Sequence, residues 1–294
     1  MHTRLPYSIW ADWPLPTMPV YFRGWPIMTN ADSRAPRSVL VTGALGGIGR
    51  AVCQHFAGEG AHIVLHDRLP PEQANVQACQ DMLREKGAAS TRYFQADLRS
   101  TEQIDGLFAA LREAGVSLDV LVNNAGIQLT APVENFELTD WNDIIAINLT
   151  AVYRCSQLAL ADMRRQGGGR IVNLASVHGL VGSPYKSAYV AAKHGVVGLT
   201  KVLALETAEQ RITVNAIAPG WTETPILEPQ IAQRMQTLNR GRDEAIRHLV
   251  GEKQPTKAFV LPEQVAALVG FLSSSEAASM TGTVIPMDGG WTCQ

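Results

Sequence analysis

A serine, a tyrosine and a lysine in the stretch 173–193, NLASVHGLVGSPYKSAYVAAK, have the types and spacing needed to move a proton. Tyr189 follows Ser176 by thirteen residues and precedes Lys193 by four. Four residues is about one helical turn, so a helix here puts the phenol and the ammonium on one face. A free tyrosine has a pKa of about 10, too high for efficient proton acceptance at neutral pH, and a fixed cation beside it favours the phenolate. A serine hydroxyl bonded to the same substrate oxygen would hold that oxygen while its proton leaves. The Tyr-x-x-x-Lys pair also arises on solvated helix faces, so the surrounding elements must decide its role.

From residue 38 onward, short apolar runs alternate with helix-length segments. The strand-like runs fall at 39–41, 63–66, 92–94, 120–123, 171–174, 212–217 and 284–287. Such alternation predicts right-handed crossovers and an α/β fold: a doubly wound, Rossmann-type parallel sheet in one domain, residues 37–294. Ser100 with Gln103 reads as a capping box, and Gly60 and Gly87 stand where helix stop signals belong.

The first strand leads into TGALGGIG, residues 42–49, and then an amphipathic segment. Glycines there permit a tight turn and let backbone N–H groups approach a pyrophosphate at a helix N-terminus. The spacing differs from G-x-G-x-x-G, and the cofactor set read from the turn is Gly43, Gly47, Ile48 and Gly49. Asp67 ends the second strand eighteen residues after Gly49, where a carboxylate accepts both ribose hydroxyls of NAD and repels a 2′-phosphate. Arg68 follows it, but no Lys or Arg lies in the turn, so NAD is expected over NADP. Asp97 with Leu98 follows the third strand and suits the adenine end. Asn124, Ala125 and Gly126 close the fourth strand beside the same crevice. Asn148 lies in an apolar helical segment, where an Asn tends to find a backbone partner.

Taken together, the glycine turn, Asn124 to Gly126, Asn148, Ser176, Tyr189 and Lys193 resemble the short-chain dehydrogenase/reductase family from about residue 38 to the end. The resemblance implies a nicotinamide cofactor, a homotetramer and a catalytic set of Asn148, Ser176, Tyr189 and Lys193, with Asn148 holding a proton-relay water. It places Pro219, Gly220 and Thr224 at the nicotinamide end. Within the family, NNAGIQ, SVHGLVGSPYKSAYVAAKHG, NAIAPGW, KQPTKAFV and DGGWT are similar to the bacterial members that oxidise (R)-3-hydroxybutanoate. That similarity implies a small substrate with a free carboxylate, held by Gln128, His178, Lys186 and Gln230 with Ser176 and Tyr189, and enclosed by Trp221 and Trp291. A carboxylate leaving water needs such donors, a cation among them. Asp67 departs from the uncharged strand end frequent in those members. The polar segment 224–257 is expected to form a helical lid that excludes water.

Composition limits the alternatives. The chain has 294 residues, 46% hydrophobic and 18% charged, with a formal net charge of -2, which gives no basic footprint for nucleic acid. No unbroken apolar run approaches a spanning helix, so no membrane partner and a cytoplasmic location are expected. The four cysteines lack metal spacing and read as buried thiols, with no metal site. Residues 1–36 hold six of the sixteen prolines and three of the six tryptophans without periodicity, and read as a poorly ordered extension; Met28 is an alternative initiator. Two rival functions stay open at this stage: an NADPH-dependent reductase of acetoacetyl-CoA or 3-oxoacyl substrates, and a nucleotide-sensing protein that keeps the fold without the chemistry.

Overall fold

Apolar runs too short for helices form the strands of one parallel sheet in the computed structural model, which describes residues 36–293. The expectations for residues 1–35 lie outside the described residues. The strands are β1 (Ser38–Thr42), β2 (His62–Asp67), β3 (Ser90–Gln95), β4 (Val120–Asn123), β5 (Gly169–Leu174), β6 (Ile212–Pro219) and β7 (Val284–Met287). They lie in the order β3-β2-β1-β4-β5-β6-β7. The order reverses between β1 and β4, so a crevice opens beyond their C-terminal ends, where open α/β sheets bind ligands.

The helices are α1 (Gly47–Gly58), α2 (Ala74–Glu85), α3 (Thr101–Glu113), α4 (Leu138–Ile145), α5 (Ala151–Gln166), α6 (Ser187–Thr207), α7 (Glu228–Leu238), α8 (Arg242–Gly251) and α9 (Pro262–Leu272). Strand alternation sorts them into two layers. Val39 and Val41 of β1 face a core shared with α1 and α9, while Leu40 faces the core of α3 and α5. All eight residues of β6 are buried, as expected for a strand covered on both faces.

Helix ends follow the sequence signals with one change. Gly60 and Gly87 adopt positive φ after α1 and α2, and Ala61 N–H closes the first end on Phe56 O. Ser100 caps α3 by accepting from Gln103 N–H at 3.2 Å. The Gln103 side chain, however, accepts from Asp97 N–H at 2.8 Å rather than from Ser100 N–H. The box is therefore half formed, because the Gln103 amide ties the preceding loop instead.

Two other expectations need correction. The spans Leu138–Gln166 and Ser187–Thr207 are apolar and long enough to cross a membrane, a property that a search for unbroken apolar runs does not register. Both lie against the sheet, with Cys155, Ala159 and Met163 of one and Val196, Leu203 and Ala204 of the other in its cores. Cys53, Cys79 and Cys155 are buried free thiols, but Cys293 is exposed in the last turn.

Candidate active site

The chain leaves β5 carrying Ser176, whose buried hydroxyl accepts from His178 N–H at 3.2 Å and so starts a single 3-10 turn, Val177–Gly179. α6 then supplies Tyr189 and Lys193 from one face. Tyr189 hydrogen-bonds Ser176, and this bond opposes burial, which pushes the phenol pKa up. The Lys193 Nζ lies 5.6 Å from the Tyr189 ring centroid and donates to Leu174 O at 2.6 Å. Burial lowers Lys193 to about 8. The expected pull of Lys193 on the phenol is thus outweighed: a strand carbonyl takes the ammonium, desolvation dominates, and the opposing pull comes from Ser176.

Asn148 sits in a π-helical turn, Ala146–Thr150, between α4 and α5. This irregularity turns the amide toward Ile127, accepting from its N–H at 2.9 Å and donating to its carbonyl at 2.8 Å. Asn148 therefore fixes the loop bearing Gly126 and Gln128. A methyl on Gly126 would come within 3.4 Å of Asn148 Oδ1 and 3.9 Å of Lys193 Nζ, so the three are neighbours.

The cofactor crevice is built around close backbone approach. Gly43 has φ +64, and a methyl on Gly49 would overlap Gly43 O. A methyl on Gly47 would meet Thr224 Cγ2 at 2.8 Å, which places the post-β6 segment against the turn. Asn124 clasps this region: its Nδ2 donates to Thr42 O at 2.9 Å and Gly43 O at 3.1 Å, while Thr42 Oγ1 accepts from the N–H groups of Asn124 and Ala125. Its side-chain amide serves the turn. Asp67 points its carboxylate at the same turn, accepting from Leu45 N–H at 3.3 Å and Arg68 N–H at 2.8 Å. Arg99 holds Asp97 from Nη2 at 2.6 Å and lowers its pKa, and also reaches Asp143 at 3.1 Å. Leu98 buries its side chain in the core near α3, leaving only its backbone for the crevice.

One cavity joins the two ends. Ile48, Asn124, Gly126, Tyr189, Lys193, Pro219, Gly220 and Thr224 line it together with Gln128, Ser176, His178, Lys186, Trp221 and Trp291. Lys186, just before α6, is 6% exposed. Its ammonium lies 3.4 Å from both His178 Nε2 and Gln230 Oε1 and 4.9 Å from the Trp221 ring centroid. Gln230, on α7, does not line the cavity but reaches it through Lys186. Burial lowers Lys186 to about 8 and, aided by the Lys186 charge, His178 to about 3. His178 is therefore neutral with Nε2 accepting, which leaves the proton on Nδ1. That atom and Trp221 Nε1 are buried donors without a partner among the described residues. His178 meets Trp291 edge-on at 5.3 Å, and the Trp221 and Trp291 rings are 5.7 Å apart.

Sequence reasoning missed the apolar floor, Ile226 and Leu227, because two aliphatic residues beside Pro225 carry no chemical signal. It also missed Asp288, which accepts from Thr292 N–H at 2.8 Å and Thr292 Oγ1 at 2.6 Å and thereby shapes the turn that presents Trp291. An Asp immediately before the Gly289-Gly290 pair was the available clue.

The short chain dehydrogenase family model matches residues 37–235. D-beta-hydroxybutyrate dehydrogenase of Rhizobium meliloti (strain 1021) is 40% identical over 258 residues, spanning 88% of this chain and 99% of its own. The 3-oxoacyl-acyl-carrier-protein reductase FabG of Staphylococcus aureus is 36% identical over 257 residues, 86% of this chain and 97% of its own. Among solved structures, levodione reductase superposes with a TM-score of 0.79 at 35% identity, covering 87% of this chain and 98% of that one. The seven-stranded sheet, the glycine turn and these matches agree, and the chain is an oxidoreductase belonging to the short-chain dehydrogenase family.

Proposed function

We propose that the protein catalyses the NAD-dependent, reversible oxidation of (R)-3-hydroxybutanoate to acetoacetate. The observation that carries this reading is Lys186: a buried ammonium facing the cavity, with two neutral acceptors and an aromatic face but no carboxylate within ion-pair distance among the described residues. Burying an unpaired cation is costly, and a substrate carboxylate supplies the missing counter-charge. Reductases of thioesters have no use for it.

The residues present fit a nicotinamide dinucleotide: a turn too tight for side chains at Gly43 and Gly49, and a carboxylate at Asp67 suited to a ribose diol. When bound, the cofactor accepts the hydride. Ser176 holds the substrate hydroxyl, and Tyr189 takes its proton, with Ser176 opposing the burial that raises the phenol pKa. Lys186, His178, Gln128 and Gln230 orient the carboxylate, while Trp221 and Trp291 close around the short chain. The segment 224–257, which includes α7 and α8, acts as the lid through Gln230. The assembly is a homotetramer, in which further copies cover apolar side chains such as Tyr153 and Leu205, 46% and 80% exposed.

The test is NADH formation from each enantiomer of 3-hydroxybutanoate with NAD+ and with NADP+, beside reduction of acetoacetyl-CoA. Turnover of the R enantiomer with NAD+ alone supports the reading. A second reading, reduction of a 3-oxoacyl thioester with NADPH, is favoured by the likeness to FabG and by Arg68 beside Asp67. Turnover of acetoacetyl-CoA with NADPH and none of the free acid would establish it.

A further inference from the structure

Gln254, in the turn after α8, is completely buried, so both ends of its amide need partners. Its Oε1 accepts from the Trp221 backbone N–H, and its Nε2 donates to Ala258 O at 2.6 Å. Trp221 O accepts in turn from Val260 N–H at 2.9 Å, and Thr222 pairs with Val260 in a short parallel bridge. One side chain thus pins the segment leaving β6 to the segment entering α9. It also abuts the second tryptophan-bearing turn. A methyl on Gly220 would overlap Gln254 Oε1 and lie 3.0 Å from Asp288 Cα, while one on Gly289 would lie 3.4 Å from Gln254 Nε2. Thr256 N–H donates to Gly289 O at 3.1 Å and closes the joint.

We propose that Gln254 is a positioning residue of the substrate site, setting affinity for the acid by fixing Trp221, and Trp291 behind it, as the wall on which Lys186 and His178 rest. Gln254 does not itself line the cavity. Its influence passes through Trp221, whose ring seats the Lys186 ammonium at 4.9 Å, and through the Trp291 ring, which seats His178 at 5.3 Å. A freed Trp221 backbone would move the cation away from its place, whereas the glycine turn and the Ser176–Tyr189 pair stand on other elements. The kinetic arm of the test rests on the proposed function; the exchange arm does not.

Gln254→Met removes donor and acceptor at nearly matched length. Loss of one buried hydrogen bond predicts about tenfold faster amide exchange at Trp221 and about tenfold higher KM for (R)-3-hydroxybutanoate. The value of kcat should stay within about threefold and NADH affinity within about twofold, as for a loss of binding that does not reach the reacting bonds. Gln254→Glu supplies the conservative control. Protonated, a carboxyl offers one acceptor and one donor as the amide does; ionised, it faces Ala258 O with no proton. Its KM relative to wild type should therefore fall toward one as pH drops from about 9 to about 6, because burial raises a carboxyl pKa into that range, while the Met variant stays flat. Unchanged exchange at Trp221 in the Met variant overturns the proposal, as does a common fall of kcat, KM quality and NADH affinity with a pH-independent Glu variant. Where the Met variant does not fold, the Glu variant alone decides by its pH dependence. Absence of wild-type activity on the acid would sink the substrate assignment, and Gln254 would then stand or fall on exchange alone.

Discussion

Replacing Lys186 with Met should make the protein more stable and a worse enzyme. Burial takes the ammonium from its ordinary 10.5 to about 8, which corresponds to a cost of about 3 kcal/mol for carrying the charge at neutral pH. Met fills a similar volume without that cost but loses the contact over Trp221, about 1 kcal/mol, leaving a net gain of about 2 kcal/mol. The sign follows from proton binding. Below pH 8 the folded and unfolded wild-type chains both carry the proton, and the full cost applies. Between pH 8 and 10.5 the unfolded chain binds more protons, so wild-type stability rises with pH, and above 10.5 the cost is gone. The advantage of the Met variant should therefore be constant below pH 8 and vanish by about 10.5, as read by urea unfolding across pH. In the same variant kcat/KM for the acid should fall about 10- to 150-fold, the loss of a charge-assisted bond worth about 1.5–3 kcal/mol. A variant less stable than wild type at pH 7, or one equally active on the acid, would refute the reasoning.

Three further outcomes follow from the same geometry. Tyr189→Phe should lower kcat by about 10²–10⁴-fold with NADH affinity within about twofold, measured by steady-state kinetics and fluorescence titration. Asp67→Ala should raise kcat/KM with NADP+ relative to NAD+ by about 30-fold, since a carboxylate facing Leu45 N–H no longer repels a 2′-phosphate; an unchanged cofactor ratio would remove Asp67 from that role. Because Lys186 and Lys193 are both lowered to about 8, kcat/KM for the acid should fall about tenfold more per pH unit well above pH 8 in wild type than in Lys186→Met. No limb near pH 6.5 should come from His178, held at about 3.

The sheet and the meeting of Ser176, Tyr189 and Lys193 were legible in the sequence because each leaves a local mark. Seven apolar runs map onto seven strands, and Ser176, Tyr189 and Lys193 meet because a strand end and one helical turn suffice to place them. What stayed hidden depends on contacts between distant segments. Asn148 reads as a helical residue in need of a backbone partner, and only the π-turn shows that partner to be Ile127, twenty-one residues earlier. Asn124 reads as a residue beside the cofactor crevice, and only the fold shows its amide holding Thr42 and Gly43. Gln254 looks like any polar loop residue, because burial and its bond to Trp221 across thirty-three positions leave no periodicity to read. Charge balance was hidden for a similar reason: sequence gives the cation of Lys186 but not the desolvation that sets its strength.

The two buried lysines would let one cavity distinguish the ends of the proposed hydroxy acid. Both are lowered to about 8 by burial, yet their partners differ. Lys193 donates a hydrogen bond to Leu174 O, a carbonyl at the end of β5, and so stays with the Tyr189 ring. Lys186 leans on side chains from two elements, His178 after β5 and Gln230 on α7, at 3.4 Å each, distances too long for strong bonds. A carboxylate arriving between them would gain a shorter, charge-assisted bond and draw α7 inward through Gln230, so that binding energy at the unreactive end is converted into closure over the reactive one. In that arrangement the cost of burying Lys186 is carried by the free protein and would be relieved by the arriving anion, which would lower the closed state further.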